Sequence, residues 1–258
     1  MSILKKVLIF VGSGLIVIGV ILAVLAFVFG GRFSDTFNGE RINISTTYEN
    51  IDSIVMNYRY GKLSIKEGDE FKIVADNVLK NSFTSSVENG VWTITDKKKI
   101  ILFPFINDIN LNDEDSVVTI YIPKYVKLEN CDFVLGAGKI QADFLDTKIF
   151  KIKVGAGEVI INTLIATEST LECGVGSIKI DGEIIGDSKI SCGIGEIVVS
   201  LKGNPKEYNY SVKVGIGKTI INGDVYSGVS DKKITNADAK STFTLDCGIG
   251  KIELGIKQ

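Results

Sequence analysis

FVLGAGKIQA from Phe133, IKVGAGEVII from Ile152, LECGVGSIKI from Leu171, ISCGIGEIVV from Ile190, VKVGIGKTII from Val212 and LDCGIGKIEL from Leu245 are six versions of one pattern. Their first glycines are Gly136, Gly155, Gly174, Gly193, Gly215 and Gly248, so the steps are 19, 19, 19, 22 and 33 residues. Three equal steps followed by two longer ones describe a structural unit with insertions. Three positions before the glycine stand Phe133, Ile152, Leu171, Ile190, Val212 and Leu245. One position before it stand Leu135, Val154, Cys173, Cys192, Val214 and Cys247. The row between them is mostly polar: Val134, Lys153, Glu172, Ser191, Lys213 and Asp246. That alternation is the mark of a half-buried strand.

After the glycines the inward rows are Ile140, Val159, Ile178, Ile197, Thr219 and Ile252, then Ala142, Ile161, Ile180, Val199, Ile221 and Leu254. Counted from the first glycine, the inward positions are odd before it and even after it. A straight strand cannot change parity, so G-x-G is a corner or bulge. A 19-residue unit without helical periodicity cannot bury its apolar face alone; stacking at about 4.8 Å buries a continuous ladder. The predicted fold is therefore all-β: a single β-solenoid (β-helix) with about 19 residues per coil, the coils following one another in chain order. In that order Lys139 neighbours Glu158, Lys153 neighbours Glu172, and Glu196 neighbours Lys218, pairs that help to set register.

Working outward, a degenerate coil is read at residues 56–65, MNYRYGKLSI, where only the second glycine, Gly61, is kept. Strand-like runs follow from Phe71, Val91 and Ser116. Between the last two, the 100–106 run IILFPFI is either a cap over the first coil or an apolar contact loop. Asp113, Glu114 and Asp115 beside it lack the spacing of a calcium loop and read as a solvated turn. The 222–242 insertion, which lengthens the last step to 33, is a cap excursion or a recognition loop.

At the other end, residues 7–29 contain no charged side chain. As a helix they reach about 35 Å, enough to cross a hydrocarbon core of about 30 Å and preceding one all-β domain as a transmembrane α-helix. Lys5 and Lys6 before the run favour a cytoplasmic N-terminus. A cleaved signal peptide would have a shorter apolar core and small residues at its end, whereas Phe27, Val28 and Phe29 stand there. The expected organisation is a cytoplasmic stub 1–6, an anchor 7–29, a linker 30–43, an N-terminal strand region and cap 44–130, and G-x-G coils 131–258. The placement is a single-pass cell-membrane protein with its C-terminal domain extracytoplasmic.

The chemistry is restricted by composition. The 258-residue chain has no histidine, which removes Ser-His and Cys-His nucleophile systems and His-ligated metals. Its net charge is −2, so no basic field points to nucleic acid. A dinucleotide fingerprint needs G-x-G-x-x-G before a helix, and no copy has the third glycine, so no nucleotide is expected. Cys173, Cys192 and Cys247 occupy a position filled elsewhere by Leu135, Val154 and Val214, and with Cys131 are read as small buried apolar groups. A Cys173–Cys192 bridge and a metal site are the other readings of that row. Asp181, Glu183 and Asp187, on one coil connection, are the carboxylates on which an envelope polysaccharide-acting enzyme of the β-helix type would depend. The adjacent Gly182 and Gly186 read more simply as a turn. No catalytic, cofactor-binding or metal residue is assigned, and no cofactor is expected.

An apolar N-terminal segment, an extended start, a strand closing on Tyr121-Ile122-Pro123, and repeated G-x-G-[KES]-[IV] coils together resemble the bacterial putative adhesin family, also called domain of unknown function 4097. The resemblance runs over about residues 44–254. It implies a surface-exposed, right-handed β-solenoid without catalytic residues. The expected partners are the membrane, through the single span, and an envelope polymer or a neighbouring membrane protein.

Overall fold

The computed structural model describes residues 40–96 and 116–257. The described chain is all-β, with one 3-10 turn at Pro205–Glu207. Its strands are β1 (Arg41–Tyr48), β2 (Ser53–Gly68), β3 (Phe71–Leu79), β4 (Phe83–Glu88), β5 (Val91–Asp96), β6 (Val117–Pro123), β7 (Leu128–Ala142), β8 (Leu145–Ile184), β9 (Ser188–Lys202), β10 (Tyr208–Val214), β11 (Lys218–Ile221), β12 (Asp224–Ser227), β13 (Ser230–Ile234) and β14 (Ser241–Lys257). Among the described residues no helix is long and apolar enough to cross a membrane. The expected anchor at 7–29 and the 100–106 run lie outside them.

The repeats stack as parallel, in-register strands. β2 pairs with β7 so that Gly61 faces Gly138, which aligns residues 56–65 in register with the first repeat. β7 pairs with β8 through Gly138 and Gly157, and β8 with β9 through Gly176 and Gly195. All four inward rows read from the sequence are buried in every repeat, Thr219 included. Each large aliphatic in these rows contributes about 1.5–3 kcal/mol by leaving water, and neighbouring repeats share the same continuous core.

The glycines are required by how closely these strands approach. A Cβ on Gly157 would lie 2.2 Å from the Gly138 carbonyl oxygen, and one on Gly176 2.0 Å from that of Gly157. The second glycine of the corner also has positive φ in every repeat but that of Gly217, +129° at Gly176. Any side chain here would push the coils apart, so the corner needs glycine for space and for backbone angle.

The order of the last coils corrects the sequence reading. β14 lies between β9 and β10, parallel to both: Cys247 faces Cys192 on one side and Val214 on the other. Glu196 is consequently ion-paired with Lys251, and the expected Glu196–Lys218 neighbour pair does not form. The 22-residue step supplies the reason. Its three extra residues, beside Gly203, Asn204 and Pro205, give the chain the length to pass one strand spacing of about 4.8 Å and leave a vacant slot. The chain then returns through the 222–242 insertion to fill that slot. The Lys139–Glu158 and Lys153–Glu172 pairs form as expected, at 2.9 and 3.4 Å. All are solvent-exposed, so each contributes only a few tenths of a kcal/mol up to about 1.

Both ends of the ladder are closed by antiparallel strands. At one end β5 and β6 cover the two halves of β2, and β4 and β3 pair antiparallel with β5 and β6 in turn. The chain leaves this turn at Asp96, opposite Tyr58, and rejoins it at Val117, opposite Lys62. At the other end β13 pairs with β10 and β12 with β11, also antiparallel. The 222–242 insertion is thus a cap over the outermost repeat. Antiparallel closure stops the parallel ladder from offering its edge for further addition, and Asp231, Lys232 and Lys233 place charge on the final edge. Aromatic side chains fill the core beneath each cap: Trp92 with Tyr48 and Phe71, at 5.3 and 6.2 Å, and Phe243 with Tyr208 and Tyr210, at 5.1 and 6.2 Å.

Candidate functional site

The outward positions of the ladder form rows of polar groups at strand spacing. On one face Lys151, Thr170, Lys189 and Thr244 succeed one another on consecutive turns, and Lys189 faces Thr170 and Thr244 directly. An open groove of about 320 Å³ runs across this row, with Glu168, Asp187 and Thr242 on its border. Its lining includes Ser169 and Ser188, whose hydroxyls hydrogen-bond at 3.0 Å in the core row, beside Phe243. Ile149 adds an apolar edge.

Asp187 has a structural task in this groove. Its Oδ1 accepts the backbone N–H of Thr242 at 2.8 Å, and the Ser241 hydroxyl donates to the Ile185 carbonyl at 3.1 Å. Both bonds tie the start of β14 into its slot, so the groove's border is completed only when the inserted strand is seated.

The carboxylates singled out in the sequence are separated by this arrangement. Asp187 lines the groove; Asp181 lies on β8 opposite Ser200 of β9, and neither Asp181 nor Glu183 borders the groove. Each G-x-G corner continues into a strand, and its backbone packs against a neighbouring repeat, so the corner glycines present no free loop to a phosphate. No group of three or more His, Cys, Asp or Glu side chains converges on a point among the described residues.

All four cysteines are buried free thiols. Burial pushes Cys131, which lies between Ile54 and Phe150, up to about 12. The other three stand on consecutive strands. The Cys173 thiol is lowered by the hydrogen bond it shares with Cys192, and the Cys192 thiol is raised by that same bond and by burial.

Two features that position the ends were not read from the sequence, although their signal is local. Asn89-Gly90 joins β4 to β5 with φ of 50° and 79°, and Asn222-Gly223 joins β11 to β12 with φ of 51° and 96°. These are two-residue hairpins of the type that Asn-Gly favours. The groove itself has no sequence signature, because its residues come from four turns of the ladder, one of them out of chain order.

The protein so described is an all-β ladder with polar outer rows and a shallow, open groove. No protein-family profile and no curated protein matches the chain. Among solved structures it is similar to a putative cell adhesion protein from Clostridium sporogenes, with TM-score 0.47 and 16% identity, covering 85% of this chain and 100% of that one. A putative adhesin from Bacteroides fragilis gives TM-score 0.33 at 12% identity, covering 83% and 97%. A putative lipid-binding protein from Parabacteroides distasonis gives 0.30 at 11%, covering 85% and 97%.

Proposed function

We propose that this chain is a membrane-anchored, extracytoplasmic β-solenoid acting as a non-catalytic, adhesin-like interaction module of the bacterial cell envelope. The observation that carries the reading is the groove row Lys151, Thr170, Lys189 and Thr244, which repeats polar groups at strand spacing along an open surface. A surface of that kind suits an extended partner that itself repeats, such as an envelope polymer, better than a compact substrate that must be enclosed. The uncharged run at 7–29 and the lysines before it support the anchor and its orientation.

The reading makes two measurable commitments. A reporter fused after Gln258 is active on the outer side of the membrane; activity confined to the cytoplasm overturns the placement. Membranes carrying the intact chain retain isolated envelope polysaccharide, and the double substitution Lys151→Glu and Lys189→Glu reduces retention at least tenfold while leaving the far-ultraviolet circular dichroism unchanged. Equal retention by the folded double variant removes the groove from the proposal.

A further inference from the structure

The middle residue of G-x-G is apolar in all six repeats, although it belongs to none of the four inward rows: Ala137, Ala156, Val175, Ile194, Ile216 and Ile249. Each stands between two glycines, so no adjacent side chain on its own strand shields it. In the ladder these residues form one stripe along the corner. Ala137 faces Ala156, Val175 faces Ile194, and Ile194 faces Ile249, while the packing of Gly176 on Gly157 joins the first pair to the second. Val214 faces Cys247 and Lys218 faces Lys251, which sets Ile216 beside Ile249. The cap adds one more residue. Ser230 faces Val214 and Ser227 faces Lys218, so the turn at Gly228 and Val229 lies over the 215–217 corner and brings Val229 beside Ile216.

Exposure rises along the stripe towards this cap. Ala137 is buried, Ile249 is 38% exposed, Ile216 80% and Val229 95%, and nothing lies within 4 Å of a Cβ on Gly228. Single exposed apolar side chains are ordinary, but three on consecutive turns of one corner mark a contact surface. The surroundings are basic. Lys213 at the end of β10 and Lys218 at the start of β11 flank Ile216, and Lys232 and Lys233 follow Val229 on β13; all four are exposed. Asp231 faces Lys213, yet residues 208–234 hold four lysines against two aspartates in a chain whose net charge is −2. Shape then selects the occupant. A stable protein partner covers about 800 Å² of a complementary surface, and a narrow convex corner offers far less. A bilayer is fluid and closes round a projecting tip, taking its apolar side chains to the boundary of headgroups and acyl chains while lysines stay among anionic headgroups.

We propose that Ile216 and Val229 form a tip that inserts into the surface of a lipid bilayer carrying anionic headgroups, with Lys213 and Lys218 holding it at headgroup level. The tip depends on the seating of β14, because β10 and β11 are carried on that strand. It is a contact separate from the groove, whose residues are not shared with it. It is separate also from the expected anchor at 7–29, which belongs to the other end of the chain.

The test holds the intact chain in nanodiscs of phosphatidylcholine alone and adds separate vesicles, either of phosphatidylcholine or of equal parts phosphatidylcholine and phosphatidylglycerol. Flotation with the anionic vesicles is expected, at least tenfold above that with neutral ones and weakened by salt. Ile216→Ser with Val229→Ser lowers capture at least tenfold. Both residues are exposed, so circular dichroism and Tm should match the unaltered chain. Lys213→Gln with Lys218→Gln also lowers capture at least tenfold, at about fivefold per lysine. Lys151→Gln with Lys189→Gln in the groove leaves it within twofold. Val229→Trp adds an emission that brominated lipid in the anionic vesicles quenches, whereas Trp92 in the core is not quenched. A chain that does not enter the discs defeats the anchor alone, and the same flotation is then run on the free chain. Capture kept by the folded serine variant, equal capture by neutral vesicles, or an added tryptophan that is not quenched each overturns the tip. Pairing of the chains that the serine substitutions abolish assigns the corner to a second copy and overturns it as well.

Discussion

Gly176 and Gly255 show how differently two glycines of one chain can be constrained. Gly176 has φ of +129° and its absent Cβ would lie 2.0 Å from the Gly157 carbonyl oxygen, whereas nothing lies within 4 Å of a Cβ on Gly255. Gly176→Ala is expected to destabilise by about 3 kcal/mol or more, from backbone strain added to a collision that only separation of the strands relieves. Gly255→Ala changes stability by no more than about 0.5 kcal/mol. Chemical denaturation of both variants measures the contrast, and equal effects would show that the corner is not stacked as described. Thr219 is the opposite case, a residue the fold tolerates at a cost. It is fully buried, its hydroxyl has no hydrogen-bond partner, and the same row elsewhere holds Ile140, Val159, Ile178, Ile197 and Ile252. Thr219→Val removes the unsatisfied hydroxyl without changing shape, and a gain of about 1 kcal/mol is expected. In a chain of this size that raises Tm by about 2–4 °C; an unchanged or lower Tm would mean the hydroxyl finds a partner.

Strand order is decided at the scale of the element. The six repeats are similar enough that β10 and β14 could each pair with β9, and the apolar rows alone favour neither. The linkers discriminate. The Asn204 side chain accepts the Lys206 N–H at 3.1 Å to close the 3-10 turn, and the Gly203 N–H donates to the Lys257 carbonyl at 2.9 Å, which fixes the passing chain beside the end of β14. The return is secured by Asn236, whose side-chain amide donates to the Tyr208 carbonyl and whose backbone N–H donates to the Asn209 side chain, and by Asp187 on the Thr242 N–H. The order is open to a direct check. In a background with the four native cysteines replaced by valine, Glu196→Cys with Lys251→Cys should be joined by a short bis-maleimide to near completion. Glu196→Cys with Lys218→Cys, two strands apart, should be joined at least tenfold more slowly. The reverse result would restore chain-order stacking.

At the scale of the whole described ladder, β14 is the piece on which the far end depends. Among the described residues β10 and β11 pair with the ladder through β14, and their other partners are the capping strands β13 and β12. Ending the chain after Lys240 should therefore release residues 208–234 together with β14, not trim one strand. Hydrogen exchange would then show loss of protection across 208–234, with the protection of β7 and β8 kept, and the bared edge of β9 should promote self-association visible on size exclusion. Persistent protection of 208–234 in the truncated chain would show that β10 can seat directly on β9.

The repeats, the four buried rows, the glycine corners and the Lys139–Glu158 and Lys153–Glu172 pairs were all legible from residue order. Each depends on contacts between positions a constant 19 residues apart, so spacing along the chain stands in for distance in space. The capping of the ends was half legible: Asn89-Gly90 and Asn222-Gly223 are local hairpin signals, while the strands they add carry no repeat signature. The insertion of β14, and with it the groove border at Thr242 and the row of three thiols, was decided only in the folded molecule. Nearly equivalent repeats make two stacking orders almost equal in apolar burial, and the choice between them rests on turn and side-chain hydrogen bonds between residues as many as 56 positions apart.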